Sequence, residues 1–209
     1  SSNVSSRDVD AFDRGPDNGF RCAREVAPDA GASKAREPVP LIDRDYDREK
    51  PVPDQIFEVY RGLYAYDKTD LAAKVEQRDE SAENWIREKI TFNAAYDGQR
   101  MMGCLFLPRK NHPPFETVIF SPGAGAFFVS SSENLGPGIL DFLLVDGRAV
   151  FCPVFLSMYE RQDGFHSNNF DRNSWRDHCL RWSRDLGRSI DYLETRAEID
   201  KDRLAYYGY

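Results

Sequence analysis

Metal-ligand spacing is missing from this sequence. Its three histidines, His112, His166 and His178, show no H-E-x-x-H pattern and stand beside no Cys/His cluster, so no bound metal ion is expected. Cysteine is scarce too. The four present, Cys22, Cys104, Cys152 and Cys179, lack C-x-x-C spacing, and Cys104 and Cys152 fall inside apolar runs, where buried free thiols are expected. No stretch reaches eighteen consecutive apolar residues and none reads as a signal peptide. Lys and Arg do not cluster, and the net charge is −7, so no nucleic-acid partner is expected. The phosphate-loop pattern G-x-x-x-x-G-K-[ST] is absent, and no cofactor is implied. The opening Ser1-Ser2-Asn3 does not look like a natural start, so a preceding region could carry a leader or an anchor. The compartment stays open, with the cytoplasm as the default and membrane attachment of a parent chain compatible with these residues.

What is there is enough for one sizeable domain with extra segments: 209 residues, 41% hydrophobic and 30% charged. Three parts are expected. Residues 1–24 form a first segment. Residues 25–53 carry Pro28, Pro38, Pro40, Pro51 and Pro53 among small and charged residues, with Leu41-Ile42 their only adjacent pair of large aliphatics, and read as a linker. From Asp54 the pattern becomes periodic. Ile56, Tyr60 and Leu63-Tyr64 share one helical face, with Pro53-Asp54 as the start signal.

Strands follow. Residues 85–92 partly alternate, Asp97-Gly98 is a hairpin turn, and residues 101–107 pair back, giving an antiparallel hairpin. Thr117-Val118-Ile119-Phe120 is apolar without alternation, as suits a central strand covered on both faces. A helix of roughly three turns is expected over 133–144 despite Gly136 and Pro137, closed by Asp146-Gly147. Residues 149–155 make the next buried strand, with Pro153 marking its end. Over 173–195, Trp175, Cys179, Trp182, Leu186, Ile190 and Leu193 form one apolar stripe, and Arg181 can pair with Asp185 on the other face. Asp200-Lys201-Asp202-Arg203 reads as a polar turn before the strand Leu204-Ala205-Tyr206-Tyr207. Strand, helix, strand, helix, strand over 117–209 implies an α/β fold with a mostly parallel sheet and right-handed crossovers.

In such a sheet, ligands bind at the carboxyl ends of the strands. Three loops fall there. Ser121-Pro122-Gly123-Ala124-Gly125-Ala126 follows an apolar strand, and its small residues let backbone N–H groups approach a developing oxyanion. A plain tight turn fits equally well, and a dinucleotide site does not, because Phe128 stands where the third glycine belongs. The long segment 156–170 holds Tyr159-Glu160-Arg161 and His166, and a solvated connection is its plainer explanation. His166 has no nucleophile to pair with, His178 is expected to be packed or exposed, and His112 before Pro113-Pro114 looks like turn chemistry. The third loop begins at Gly208-Tyr209, the first two positions of a G-x-S-x-G nucleophile elbow. An ordinary strand ending at a Gly turn fits the same two residues.

Together these points resemble the N-terminal half of an α/β-hydrolase of the dienelactone hydrolase, acetyl-xylan esterase and prolyl-oligopeptidase-like group. They are residues 118–125 in the oxyanion-loop place, Gly147-Arg148-Ala149-Val150 entering a strand, the Tyr159-Glu160-Arg161 loop, and residues 202–209 leading to the elbow. The resemblance implies a partial α/β-hydrolase fold with an antiparallel N-terminal hairpin over 54–209. Ala124, or alternatively Gly125, would supply one oxyanion donor, and Gly208 and Tyr209 would open the elbow. Ser121-Pro122-Gly123 departs from the H-G-G-G form. The nucleophile, acid and histidine would all come later. The expected function is therefore that of a fragment of a multidomain serine hydrolase, cleaving a small-molecule ester or a peptide through an acyl-enzyme and inactive and poorly stable alone. The alternative is a hydrolase-like binding module without chemistry.

Residues 5–9 and 17–24, with Gly19-Phe20-Arg21-Cys22, resemble the C-terminal end of a formylglycine-generating-enzyme (sulfatase-modifying factor) domain. That resemblance implies a bacterial, multidomain parent with covalently linked neighbouring domains; such domains sometimes stand between a serine/threonine kinase domain and a hydrolase-like one, an architecture that suits this chain although it carries no kinase motif.

Overall fold

The computed structural model describes residues 45–133, 135, 138, 140–165 and 171–208. The segment that resembles a formylglycine-generating domain, most of the Pro-rich stretch, His166 and Tyr209 lie outside the described residues. Residues 45–51 hold one 3-10 turn, Tyr46–Arg48. From Val52 onward the chain forms a compact unit of its own.

Six strands make one mixed sheet. They are β1 (Lys74–Asp79), β2 (Trp85–Asn93), β3 (Arg100–Pro108), β4 (Phe115–Ser121), β5 (Ala149–Val154) and β6 (Ile199–Gly208). Their spatial order is β1-β2-β3-β5-β4-β6. The first three strands and β5 pair antiparallel in sequence, whereas β5, β4 and β6 run parallel. The expected hairpin is present: Ile86 faces Leu107 and Phe92 faces Met101. Its turn needs positive φ at both central residues, and Asp97 (φ 54) and Gly98 (φ 61) supply it, the twist that matches flanking strands. β5 ends one residue beyond Pro153, which stands opposite Gly103.

Among the described residues three α-helices accompany the sheet: α1 (Asp54–Gly62), α2 (Asp141–Val145) and α3 (Arg172–Glu194). Alternation along the central strands separates two cores. Leu105, Ile119 and Phe151 pack with Phe92, Tyr192 and Leu193, on the side where α3 lies. Phe106, Phe120 and Val150 pack with Leu140 and Leu144, on the side of α2. Asp171 caps α3, its carboxylate accepting from the amides of Asn173 and Ser174.

Three expectations about the elements need correcting, and one strand was missed. Among the described residues of 133–144, α-helix begins only at Asp141 and runs to Val145, with Leu140 before it non-helical (φ −112°, ψ 2°). Asp200–Arg203 is no turn before a strand but an irregularity inside β6, where Phe115 faces Ile199 while Thr117 already faces Leu204. The Asp202 amide donates to the Asp200 carboxylate at 3.1 Å across it. Arg181 does not pair with Asp185: it reaches Asp97 at 3.1 Å, and Asp185 points inward. β1 was not expected at all, because Lys74, Glu76, Arg78 and Asp79 hide any apolar period. As an edge strand it needs none, and its charges discourage pairing with another chain.

The opposite edge is β6, nearly all exposed. Tyr206 and Tyr207 stand on its two faces, and Tyr207 meets Phe120 at 5.9 Å between ring centroids.

Candidate active site

The carboxyl ends of β4 and β6 emerge side by side, with Ser121 paired to Gly208. Past Ser121 the chain extends through Gly123 (φ −73°, ψ −178°) and turns into a 3-10 helix, Ala124–Phe128. The first hydrogen bond of this turn runs from the Ala126 amide to the Gly123 carbonyl at 3.0 Å. The amides of Ala124 and Gly125 precede it, so neither has a partner within the turn. Both residues are exposed. A Cβ added at Gly125 would meet nothing within 4 Å, so nothing in the described residues requires glycine there.

The turn is held from beneath. Ala126 and Phe127 are buried with Phe155 and Met158, and the Phe127 ring lies 5.7 Å from Trp182 and 6.0 Å from Phe165. Two apolar residues following Gly123-Ala124-Gly125 thus anchor a loop whose leading residues, Ala124 and Gly125, are exposed. Beside it, Ser121, Phe155, Met158, Trp182, Ser183, Leu186 and Tyr206 line a mostly apolar cleft of about 260 Å³.

In its described part, Leu156–Phe165, the segment after β5 is not merely a solvated connection. Arg161 donates from Nη1 to Asp185 Oδ2 at 2.6 Å and to the Val154 carbonyl at 2.9 Å, and from Nη2 to the Tyr96 hydroxyl at 2.8 Å. The Tyr96 hydroxyl donates to Asp185 Oδ1 at 2.8 Å, and the Leu156 amide to Oδ2 at 3.0 Å. Burial pushes the Asp185 carboxyl upward, and the Arg161 guanidinium with these donors opposes it. Burial also opposes the charge on Arg161, but the Asp185 carboxylate and the Tyr96 hydroxyl together outweigh it and hold the guanidinium above its ordinary value. Trp182 Nε1 donates to the Leu156 carbonyl at 2.8 Å, so α3 grips Leu156 through both backbone groups. Glu160 accepts from the amide and hydroxyl of Ser132, each at 2.9 Å. Ser157 (φ 70°) and Tyr159 (φ 49°) take left-handed backbone, which side chains tolerate only where surroundings impose it.

One cluster contains Ser, Asp and His without being a triad. The Ser157 hydroxyl donates to Asp163 Oδ1 at 2.8 Å, and His178 Nε2 lies 2.9 Å from Asp163 Oδ2. The acid stands in the middle, whereas catalysis needs the imidazole between acid and hydroxyl. His178 Nδ1 is taken by the Ser174 carbonyl at 2.7 Å, and Phe165 stacks on the ring at 3.9 Å. Both ring nitrogens are engaged away from any hydroxyl, and His178 is a packed residue. Among the described residues no group of three or more His, Cys, Asp or Glu side chains could hold a metal ion, and no helix is long and apolar enough to cross a membrane.

The structure therefore brings Ser121, Ala124, Gly125 and Gly208 to one edge of the sheet, with Tyr209 outside the described residues. Sequence reasoning missed Tyr96, Arg161 and Asp185 as a unit. One signal was available: Asp185 falls on the same stripe as Trp182, Ser189 and Leu193, a charge at an inward position that requires a partner.

No protein-family model matches the sequence, and no curated protein matches it in sequence. Solved structures do match in three dimensions. An acetyl xylan esterase-type protein from Bacteroides fragilis superposes with a TM-score of 0.58 at 15% identity, over 75% of this chain and 46% of its own. Acetyl xylan esterase 1 from a Thermoanaerobacterium species gives a TM-score of 0.53 at 16% identity, over 77% of this chain and 52% of its own. A glucuronoyl esterase from Solibacter usitatus aligns over 75% of this chain and 51% of its own, at 16% identity and a TM-score of 0.49. The chain spans about half the length of the structures it matches. The mixed six-stranded sheet with helices on both faces is a partial α/β-hydrolase fold.

Proposed function

We propose that this chain supplies the oxyanion loop and the strand leading to the nucleophile of a serine hydrolase, one that cleaves a small-molecule ester or a peptide bond through an acyl-enzyme. The observation that carries this reading is the pairing of Ser121 with Gly208. It sets the exposed residues Ala124 and Gly125 next to the end of the strand after which the nucleophile of an α/β-hydrolase follows. In the reaction, a serine oxygen attacks the carbonyl carbon, the C=O electrons move onto oxygen, and N–H donors steady the resulting anion before the leaving group departs. Ala124, or Gly125 beside it, provides one such donor. The nucleophile, the acid and the histidine belong to residues of a longer protein beyond Tyr209. A formylglycine-generating-type domain, whose tail residues 1–24 resemble, is proposed as another of its parts.

A fluorophosphonate probe applied to the full-length protein tests this. The expected result is a single labelled serine directly after Gly208-Tyr209, with ester turnover lost on labelling, while residues 1–209 alone turn over no ester. A folded full-length protein that takes no label and has no serine there is a hydrolase-like binding module instead.

A further inference from the structure

At the end of β5, side chains pin three backbone groups in a row. The Val154 carbonyl accepts from Arg161, the Leu156 amide donates to Asp185, and the Leu156 carbonyl accepts from Trp182. Phe155, held between them, packs with Ala126 and Phe127 of the 3-10 turn. Just beyond, the backbone closes on itself: the Ser157 amide donates to the Arg161 carbonyl at 2.8 Å, and the Arg161 amide to the Met158 carbonyl at 2.9 Å. Inside that closed loop Ser157 and Tyr159 keep left-handed backbone, a costly conformation that persists where the surroundings over-determine it and that clusters at functional sites.

We propose, resting on the hydrolase reading above, that Arg161, Asp185 and Tyr96 are positioning residues for the reaction: they fix Phe155, and through it the Ala124–Phe128 turn, so that the oxyanion donor is in place before the substrate carbonyl arrives. They act at a distance, since Asp185 is wholly buried and Tyr96 and the Arg161 side chain nearly so. An oxyanion donor stabilises developing charge because it is fixed in advance, and a misplacement of about 1 Å can cost about 10²-fold in rate. The ion pair serves geometry more than stability. Stripping water from two charges offsets most of their attraction, whereas their hydrogen bonds admit one arrangement of the segments they join.

Full-length protein carrying Arg161→Met with Asp185→Leu tests this. The readouts are kcat and KM for p-nitrophenyl acetate, with active sites counted by the fluorophosphonate probe so that unfolded molecules drop out. With no buried charge left, the double variant should melt close to the unaltered protein. Its kcat per labelled site should nevertheless fall about ten- to a hundredfold, with KM changed less than about twofold, as for a contribution made only in the transition state. Tyr96→Phe keeps the ring and removes only the hydroxyl that bridges Asp185 and Arg161. It should lower kcat per site about three- to tenfold, and it decides the matter if the double variant does not fold. Gly103→Ala crowds Phe151 in the sheet core instead, and should lower the melting temperature while leaving kcat per site unchanged. Unaltered kcat per site in Tyr96→Phe and in a folded double variant overturns the proposal and leaves the hydrolase reading standing. An equal loss in Gly103→Ala also overturns it, since any destabilisation then suffices. A full-length protein that neither takes the label nor turns over ester overturns both.

Discussion

Arg161 Nη1 sits 2.6 Å from Asp185 Oδ2, and the two side chains are only 7% and 0% exposed. The pair joins the segment after β5 to the middle of α3, and Tyr96 from the hairpin turn closes the network. It fixes the floor on which the Ala124–Phe128 turn rests, because Leu156 and Trp182 belong to the same set of contacts.

Removing the cation should be costly. Arg161→Met leaves the Asp185 carboxylate enclosed without its partner, and a loss of about 3–5 kcal/mol is expected from such a change. Urea unfolding measures it. Combining Arg161→Met with Asp185→Leu should recover most of the loss, since no buried charge then remains. A single-variant loss below about 1 kcal/mol contradicts the role given to this pair.

Gly103 is expected to tolerate no side chain. A Cβ there would lie 2.6 Å from Phe151 Cζ and 3.1 Å from the Cys152 carbonyl oxygen, and Phe151 is wholly buried between β3 and α3. Gly103→Ala should cost about 1–3 kcal/mol through overpacking. Phe151→Leu should relieve part of it, a coupling that a double-mutant cycle in thermal unfolding reads directly.

Asp163 gives the stability a defined acid dependence. Burial raises its carboxyl, but the hydrogen bonds from His178, Ser157 and the Phe165 amide outweigh that and hold it below the usual carboxylate range. Its contribution is therefore complete above the unfolded value of about 3.9 and is lost as pH falls through the lower folded value. Asp163→Asn should be less stable than the parent at neutral pH, and the gap should close below about pH 4. Melting temperatures across that range decide the matter: a gap independent of pH rules out this role.

The oxyanion assignment can be probed without disturbing the turn. Ala124 is the first residue of the 3-10 helix and follows an extended Gly123, a position that accepts proline because its amide has no partner within the helix. Ala124→Pro in the full-length protein deletes one donor while keeping the backbone path. If Ala124 supplies the amide, kcat should fall about 10²- to 10³-fold with little change in melting temperature. If Gly125 does, Gly125→Pro should show the larger loss.

The elements were legible wherever one pattern ruled. Asp97-Gly98 announced its turn through the positive φ that both residues adopt cheaply, the apolar run at Thr117–Phe120 marked a strand covered on both faces, and the spacing from Trp175 to Leu193 marked α3. The Ser121–Ala126 loop and Gly208 could be placed at one edge of the sheet because alternating strands and helices force parallel pairing. What the sequence could not rank was polarity against depth. It placed Asp185 on the solvent side with Arg181, yet helical spacing says only which residues share a face. A carboxylate enters the interior when a guanidinium, a hydroxyl and an amide from distant segments meet it there, and only the tertiary structure assembles Arg161, Tyr96 and Leu156 around one point. The same holds for Ser157, Asp163 and His178, whose order in space, not their presence, denies them catalysis. It holds for β1 as well, an edge strand whose charges show no period because neither of its faces is buried.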